Sequence, residues 1–159
     1  MLPKRYVVHK SLGMYKRLPK DFVFVFGSNQ RGAHGAGAAA CAKRFFGAIY
    51  GRGFGHMGQS YAIPTKDVNI QTLDLKKIKM FVDKFLQYAK ENPKKVFIVT
   101  ALGTGLAGYD PVDIAPMFFE CSLNVVLPFE WVSYLPEDSF FILSPMNSQL
   151  CNTKHPKAS

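Results

Sequence analysis

Residues 22–39, FVFVFGSNQRGAHGAGAA, contain five consecutive apolar residues that end at a glycine, followed by a stretch rich in glycine and alanine. An uninterrupted apolar run of this length is typical of a strand that is buried on both faces. Helix-forming residues from Ala36 to Phe46 predict that a helix begins in the second half of this stretch. The stretch therefore predicts a buried strand, a glycine-rich loop and a helix in succession.

The same alternation of strands and helices is predicted further along the chain. Short apolar runs predict strands at residues 60–65, 96–100 and 124–127, whereas residues 47–59 hold five glycines and predict an irregular loop. Apolar residues at three- and four-residue steps predict an amphipathic helix over residues 72–90, with Thr72 or Asp74 as its N-cap.

A last helix is predicted after the second group of glycines. Asp110-Pro111 is a typical cap and first helical residue, but a start at Asp113 would place Pro116 in the first turn, where proline is tolerated. The order of elements predicts an α/β layer fold. Residues 1–143 are expected to form one domain, and residues 144–159 a loosely ordered tail.

The composition is that of a globular domain. Of the 159 residues, 48% are apolar and 19% are charged, which excludes a chain that is disordered by composition. No apolar run is long enough to cross a bilayer, and residues 1–10 lack the apolar segment of a secretory signal. Cys41, Cys121 and Cys151 form no CxxC pair, so neither disulfides nor a zinc site are expected. A cytoplasmic protein without a metal or a cofactor is therefore predicted.

Positive charge is in excess and unevenly distributed. The formal net charge is +9, and the first 20 residues carry six Lys or Arg residues and no acid. Lysines are in excess again over residues 74–95. Such charge attracts the phosphates of nucleic acids or of small nucleotides, or it forms a solvated face that favours solubility. Charge alone does not identify the ligand.

Twelve of the 13 glycines lie in two windows, residues 27–58 and 103–108, and each window follows a predicted buried strand. Ligands of open α/β sheets bind beyond the carboxyl ends of the strands, and glycine lets backbone N–H groups approach a phosphate closely. The loops match neither the P-loop nor the dinucleotide-binding fingerprint. Tight packing of helix against strand would also favour small residues. Because the arrangement occurs twice, it predicts one phosphate or diphosphate site with two walls.

Two motifs resemble a known family. Asn29 followed by Gly35-Ala36-Gly37-Ala38 resembles the macro-domain pattern, and residues 100–106, TALGTGL, resemble the loop with which that family surrounds a diphosphate. The run FGSN…GAHGAGAA…SYAIPTKD…VTALGTGLAGYDPVDIAP is also similar to a group of small phage and bacterial proteins, and the likeness covers residues 22–131. The resemblance implies a macro domain-like α/β fold of three layers, with a mixed sheet flanked by helices and a cleft for ADP-ribose or a related nucleotide.

The resemblance implies roles for individual residues. Asn29 would hydrogen-bond the distal ribose, while backbone groups of both loops would contact the ribose and the diphosphate. The ligand-binding residues expected from the two loops are Gly27, Ser28, Asn29, Gly35, Ala36, Gly37, Gly103, Thr104, Gly105, Leu106, Ala107, Gly108 and Tyr109. The ring of Tyr109 is expected either to stack on a base or ribose or to cap the core.

Asn29, His34 and Asp67 are the candidates for catalysis of ADP-ribosyl hydrolysis. His34 lies in the first loop and is of a type that titrates near neutral pH, although a lone loop histidine is more often a hydrogen-bonding or packing group. Asp67 follows the second predicted strand, where it faces the crevice or forms a turn with Lys66. One hydrolytic branch of the family has an acid at the position of Ala107, so the sequence favours binding over turnover.

The sequence thus predicts a protein that binds a small nucleotide of the ADP-ribose type, with hydrolysis of ADP-ribosyl linkages as its enzymatic extension. An ADP-ribosylated macromolecule is then a further partner, and no membrane is expected. One alternative is a non-catalytic protein that sequesters a signalling nucleotide. The other is a basic nucleic-acid-binding module formed by residues 1–20 and the lysine-rich helix, which predicts a steep dependence of affinity on salt.

Overall fold

Alternating strands and helices form the molecule, as the sequence predicts. The structure is a computed structural model and describes residues 4–10, 14–105, 107–143 and 150–151. The strands are β1 (Tyr6–His9), β2 (Met14–Tyr15), β3 (Phe22–Asn29), β4 (Gly55–Met57), β5 (Ser60–Lys66), β6 (Val96–Val99), β7 (Val125–Pro128), β8 (Phe140–Ile142) and β9 (Leu150–Cys151). The helices are α1 (Gly37–Phe45), α2 (Leu75–Glu91) and α3 (Pro111–Ile114), with 3-10 helices at Ala115–Phe118 and Phe129–Tyr134.

Seven of the strands form one mixed sheet in the order β4-β5-β3-β6-β7-β1-β8. Strand β4 is antiparallel to β5, and all other neighbours in this sheet are parallel. Strands β2 and β9 form a separate antiparallel pair. Since β3 lies between β5 and β6, the loops that follow these three strands leave the sheet side by side.

A hydrophobic core lies on each face of the sheet. Strand side chains alternate between the faces, so that Val23 and Val25 of β3 belong to one core and Phe24 and Phe26 to the other. Helices α2 and α3 cover the first core, and α1 covers the second. The arrangement is an α/β fold in which helices lie on both sides of a mixed sheet.

The amphipathic helix predicted over residues 72–90 is found as α2. Asp74 is its N-cap, because the Asp74 carboxylate oxygen accepts a hydrogen bond of 2.8 Å from the Lys77 backbone N–H. The prediction of Asp74 is therefore confirmed over the alternative, Thr72. Helix α2 ends at Glu91, directly before Asn92-Pro93.

Several boundaries differ from the predictions. Helix α3 begins at Pro111, with Asp110 as its N-cap, so the start at Asp113 is wrong. Pro116 lies in the first turn of the 3-10 helix that follows, so its missing N–H interrupts no α-helical hydrogen bond. Strand β4 was predicted as part of an irregular loop, and β8 falls after Tyr134, where the sequence predicts irregular structure.

Strand β1 was not predicted at all, because charged residues flank its four residues on both sides. Cys41 and Cys121 are buried, and burial raises the pKa of the Cys121 thiol to about 11. Among the described residues, no helix has the length and apolar character needed to cross a membrane. Except for β9, the predicted tail at residues 144–159 lies outside the described residues.

Candidate functional site

The two glycine-rich loops leave the sheet next to each other. Strands β3 and β6 are paired up to Val25 and Val99, and Thr100 then donates from both its N–H and its hydroxyl to the Val25 carbonyl oxygen. A Cβ built on Gly27 would lie 3.1 Å from the Leu102 Cβ and 3.7 Å from the Gly103 nitrogen. The first residues of the two loops therefore pack directly against each other.

A third loop, residues 67–74 after β5, joins the second glycine loop. The Thr72 hydroxyl donates to the Ala107 carbonyl oxygen at 3.1 Å, and the Tyr109 hydroxyl donates to the Leu73 carbonyl oxygen at 2.7 Å. The Leu73 N–H in turn donates to the Thr65 carbonyl oxygen at 2.9 Å. Two side-chain hydroxyls and one backbone N–H thus connect the loops that follow β5 and β6 at the carboxyl edge of the sheet.

The glycines of these loops fall into two kinds. At Gly32 and Gly53 a Cβ would come within 2.3 Å of the Arg52 nitrogen and 2.1 Å of the Asn29 carbonyl oxygen, respectively. These two glycines are required for the close packing of residues 49–53 against residues 29–32. A Cβ at Gly35, Gly37 or Gly105 would instead meet no atom within 4 Å. Packing does not explain these three glycines, which border open space on both predicted walls.

The first wall ends in a helix N-terminus without a side-chain cap. Ala36 is the N-cap of α1 and supplies no side-chain hydrogen bond, and the first turn of α1 contains no acidic residue. Gly37 has φ +56°, a left-handed conformation that favours glycine. Gly35, Ala36 and Gly37 are all exposed. An uncapped N-terminus of this kind presents backbone N–H groups and partial positive charge to solvent.

Asn29 closes the turn that follows β3. Its side-chain oxygen accepts a hydrogen bond of 3.1 Å from the Ala33 N–H, and its carbonyl oxygen accepts one of 2.9 Å from the Gly32 N–H. Its neighbour Ser28 is buried, and the Ser28 hydroxyl donates to the Gly53 carbonyl oxygen. Asn29 is half-buried, and its side-chain NH₂ is a hydrogen-bond donor in addition to the oxygen that binds Ala33.

His34 connects the first loop to residues 49–52. Its Nε2 lies 3.0 Å from the Ile49 carbonyl oxygen and 2.9 Å from the Arg52 carbonyl oxygen, so the Nε2 proton is donated to this pair. The ring is only 2% exposed and packs edge-on against Phe26. His34 therefore has the contacts of a hydrogen-bonding and packing residue, which is the alternative that the sequence allows. Its catalytic role stays a prediction.

Asp67 organises the turn after β5. Its Oδ1 accepts hydrogen bonds from the Asn69 N–H at 2.8 Å and the Gln71 N–H at 3.0 Å. Its own N–H donates to the Gln71 carbonyl oxygen at 2.8 Å. The carboxylate thus has the turn-forming role that the sequence allows, and its catalytic role likewise stays a prediction.

The remaining residues of the second loop stabilise its backbone. The Thr104 hydroxyl donates to the Ala101 carbonyl oxygen at 2.9 Å, and the Gly108 N–H donates to the Gly105 carbonyl oxygen at 3.0 Å. Tyr109 packs against the core on the α2 face, in addition to its bond to Leu73, as expected of a residue that caps the core. Leu106, which was predicted to contact the ligand, lies outside the described residues.

His9 lies at the same edge of the sheet and was missed by the sequence analysis. It is buried at the end of β1, and its Nδ1 lies 3.4 Å from the Tyr15 hydroxyl. Burial lowers the pKa of His9 below its ordinary value of 6.5. No sequence signal marked this residue, because β1 itself was not predicted.

Comparison with protein-family models, with curated proteins and with solved structures found no match to this chain.

Proposed function

We propose that the chain binds ADP-ribose or a related ribose-diphosphate nucleotide in a cleft between the loops of residues 27–37 and 103–109. The observation that carries the proposal is the open space beside Gly35, Gly37 and Gly105, on two loops that leave adjacent strands. Consecutive small residues let backbone N–H groups surround an anion, and glycine has no side chain that would block the approach of the anion.

Charge and polarity support the same ligand class. The net charge of +9 favours an anionic ligand, and the first turn of α1 adds no negative charge that would repel a phosphate. In this proposal the Asn29 side-chain NH₂ donates to a ribose hydroxyl, since its oxygen already accepts from Ala33. The backbone of Gly103 to Gly105 closes over the diphosphate.

Hydrolysis of an ADP-ribosyl linkage is the enzymatic extension of this proposal. The side chains of His34 and Asp67 hydrogen-bond to their own or neighbouring loops. Ala107 supplies no acid to the second loop. These observations favour the second candidate function, a protein that sequesters a nucleotide without chemistry.

Two measurements distinguish these functions. Ligand recovered intact after the protein is denatured would support sequestration, and release of free ADP-ribose from an ADP-ribosylated substrate would support hydrolysis.

Isothermal titration calorimetry with ADP-ribose tests the binding proposal. The wild-type chain should bind one equivalent. A Cβ at position 105 would meet no atom within 4 Å, and a Glu carboxylate there would repel a diphosphate, so Gly105→Glu should weaken binding by about tenfold or more. Gly105→Gln has nearly the same shape without the charge and is the matched control, with a smaller expected loss. Absence of heat with both ADP-ribose and NAD would refute the proposal.

A further inference from the structure

A long segment of the chain contains no acidic residue. Between Asp21 and Asp67 there is neither Asp nor Glu, whereas the same 45 residues carry five cations, namely Arg31, Lys43, Arg44, Arg52 and Lys66. This segment includes β3, α1, β4 and β5. The loops of this segment therefore contribute positive side chains and no acid of their own to the surface.

Aromatic rings are exposed within this positive segment. Tyr50 is 62% exposed and Phe54 is 38% exposed, with Arg52 exposed between them. Lysine side chains lie over both rings: Lys43 Nζ is 5.3 Å from the Tyr50 ring centroid, and Lys84 Nζ is 5.7 Å from that of Phe54. We refer to Tyr50, Arg52, Phe54, Lys43 and Lys84 as the edge strip.

The edge strip runs around the β4 edge of the sheet. Lys43 belongs to α1 on one face of the sheet, and Lys84 belongs to α2 on the other. Phe54 packs against Phe81 of α2, which holds this end of the strip in place. The strip is thus a curved path past the sheet edge and not a flat patch.

The backbone that carries the rings is held by hydrogen bonds. The Gly51 N–H donates to the Gly32 carbonyl oxygen at 2.9 Å, and the Arg52 N–H donates to the Ile49 carbonyl oxygen at 3.1 Å. His34 adds its bonds to the Ile49 and Arg52 carbonyl oxygens from beneath. Exposed rings on a fixed loop bind at a lower entropic cost than rings on a mobile one.

We propose that the edge strip binds single-stranded nucleic acid. Bases of any sequence stack on exposed aromatic rings, and cations beside the rings neutralise the flanking phosphates. The only ion pair among the described residues is Lys79–Asp83, so the cations of the strip have no acidic partner there. A single strand is flexible enough to follow a curved path, whereas a duplex is stiff over roughly 150 base pairs and keeps its bases stacked inside.

This inference is independent of the proposed nucleotide cleft. It concerns different side chains, and its probe is an unmodified oligonucleotide that contains no ADP-ribose. It shares Lys84 with the lysine-rich helix of the module considered from the sequence, but it differs from that module because it depends on Tyr50 and Arg52. A failure of either proposal leaves the other untouched.

Fluorescence anisotropy with labelled single-stranded 20-mers of deoxythymidine and of uridine tests the inference. Both should bind at low salt, and more tightly than a duplex of the same length. Tyr50→Ala should weaken binding by about fivefold or more, as expected for the loss of a stacked base. Arg52→Ala should lower the slope of log affinity against log salt by about 0.7, the value for one lost phosphate contact on a single strand. If only one of the two polymers binds in this manner, the occupant is that nucleic acid.

Matched controls locate the site. Tyr134→Ala removes an exposed tyrosine from the 3-10 helix that follows β7, whereas the edge strip lies next to β4 at the end of the sheet. This variant should leave the affinity unchanged. Lys16→Ala, in the basic N-terminal segment, should change affinity less than Arg52→Ala. Tyr50 is exposed, so its variant should keep the wild-type melting temperature. The proposal would be overturned if neither polymer binds, or if a duplex binds equally well and Tyr50→Ala has no effect. It would also be overturned if only Lys16→Ala reduces the affinity, or if polyglutamate binds more tightly than the oligonucleotides.

Discussion

The His9 side chain joins the carboxyl ends of two strands that are not neighbours in the sheet. Its Nε2 donates to the Val99 carbonyl oxygen at 2.8 Å, across β7, which lies between β1 and β6. Val99 is the last residue of β6, three residues before Leu102, which packs against Gly27. The start of the second glycine loop is therefore held by two contacts, the packing of Leu102 against Gly27 of β3 and the hydrogen bond from His9 to Val99.

This bond predicts how stability depends on pH. Burial lowers the pKa of His9 in the folded state below 6.5, so the unfolded chain binds this proton first as the pH falls. The contribution of His9 to stability is thus full above about pH 6.5 and is lost as the pH falls toward the folded pKa, at about 1.4 kcal/mol for each unit of difference. Urea unfolding at pH 7.5 and pH 5 should show this loss.

His9→Gln is the matched variant for this measurement, because glutamine retains a donor but does not titrate. Its free energy of unfolding should fall less between pH 7.5 and pH 5 than that of the wild type. An equal fall in both proteins would assign the pH dependence to other groups.

The two kinds of glycine predict opposite effects of the same substitution. Gly53→Ala places a Cβ 2.1 Å from the Asn29 carbonyl oxygen and should cost about 1–3 kcal/mol of stability through overpacking. Gly105→Ala places a Cβ in open space and should change stability by less than about 0.5 kcal/mol. Thermal and urea unfolding of the two variants check this, and equal destabilisation would show that Gly105 is also a packing residue.

The hydroxyl of Tyr109 is predicted to stabilise the junction between the loops after β5 and β6. Tyr109→Phe removes the donor to the Leu73 carbonyl oxygen and should cost about 1 kcal/mol of unfolding free energy. Tyr134→Phe is the control, since Tyr134 is exposed, and it should be neutral. If Tyr109→Phe is as stable as the wild type, the hydrogen bond contributes nothing and Tyr109 acts through its ring alone.

The elements that were predicted correctly are those whose own residues carry a strong pattern. The apolar runs of β3 and β6 and the three- and four-residue spacing of α2 are visible in any short window of sequence. Strand β4, Gly-His-Met, has low intrinsic preference for a strand and exists because β5 pairs with it. Strand β1 depends in the same way on its neighbours β7 and β8.

That the two glycine loops lie next to each other could be predicted from the sequence, whereas the contacts of their individual residues could not. Two glycine windows after buried strands indicated that the loops meet, and the packing of Gly27 against Leu102 agrees with that expectation. The sequence did not distinguish Gly53, which contacts a neighbouring backbone, from Gly105, which borders open space. It could not do so, because that difference depends on which loop lies opposite. The partners of His34 and Asp67 depend on the same loop geometry.

Backbone amide NMR of the ¹⁵N-labelled chain during titration with ADP-ribose tests the central claim most directly. The account predicts chemical-shift changes at Gly35 and Gly37 in the first loop and at Gly105 in the second, with one shared dissociation constant. Control amides in β8, at the far end of the sheet, should not shift. Changes confined to one loop, or none at either, would contradict a shared diphosphate site.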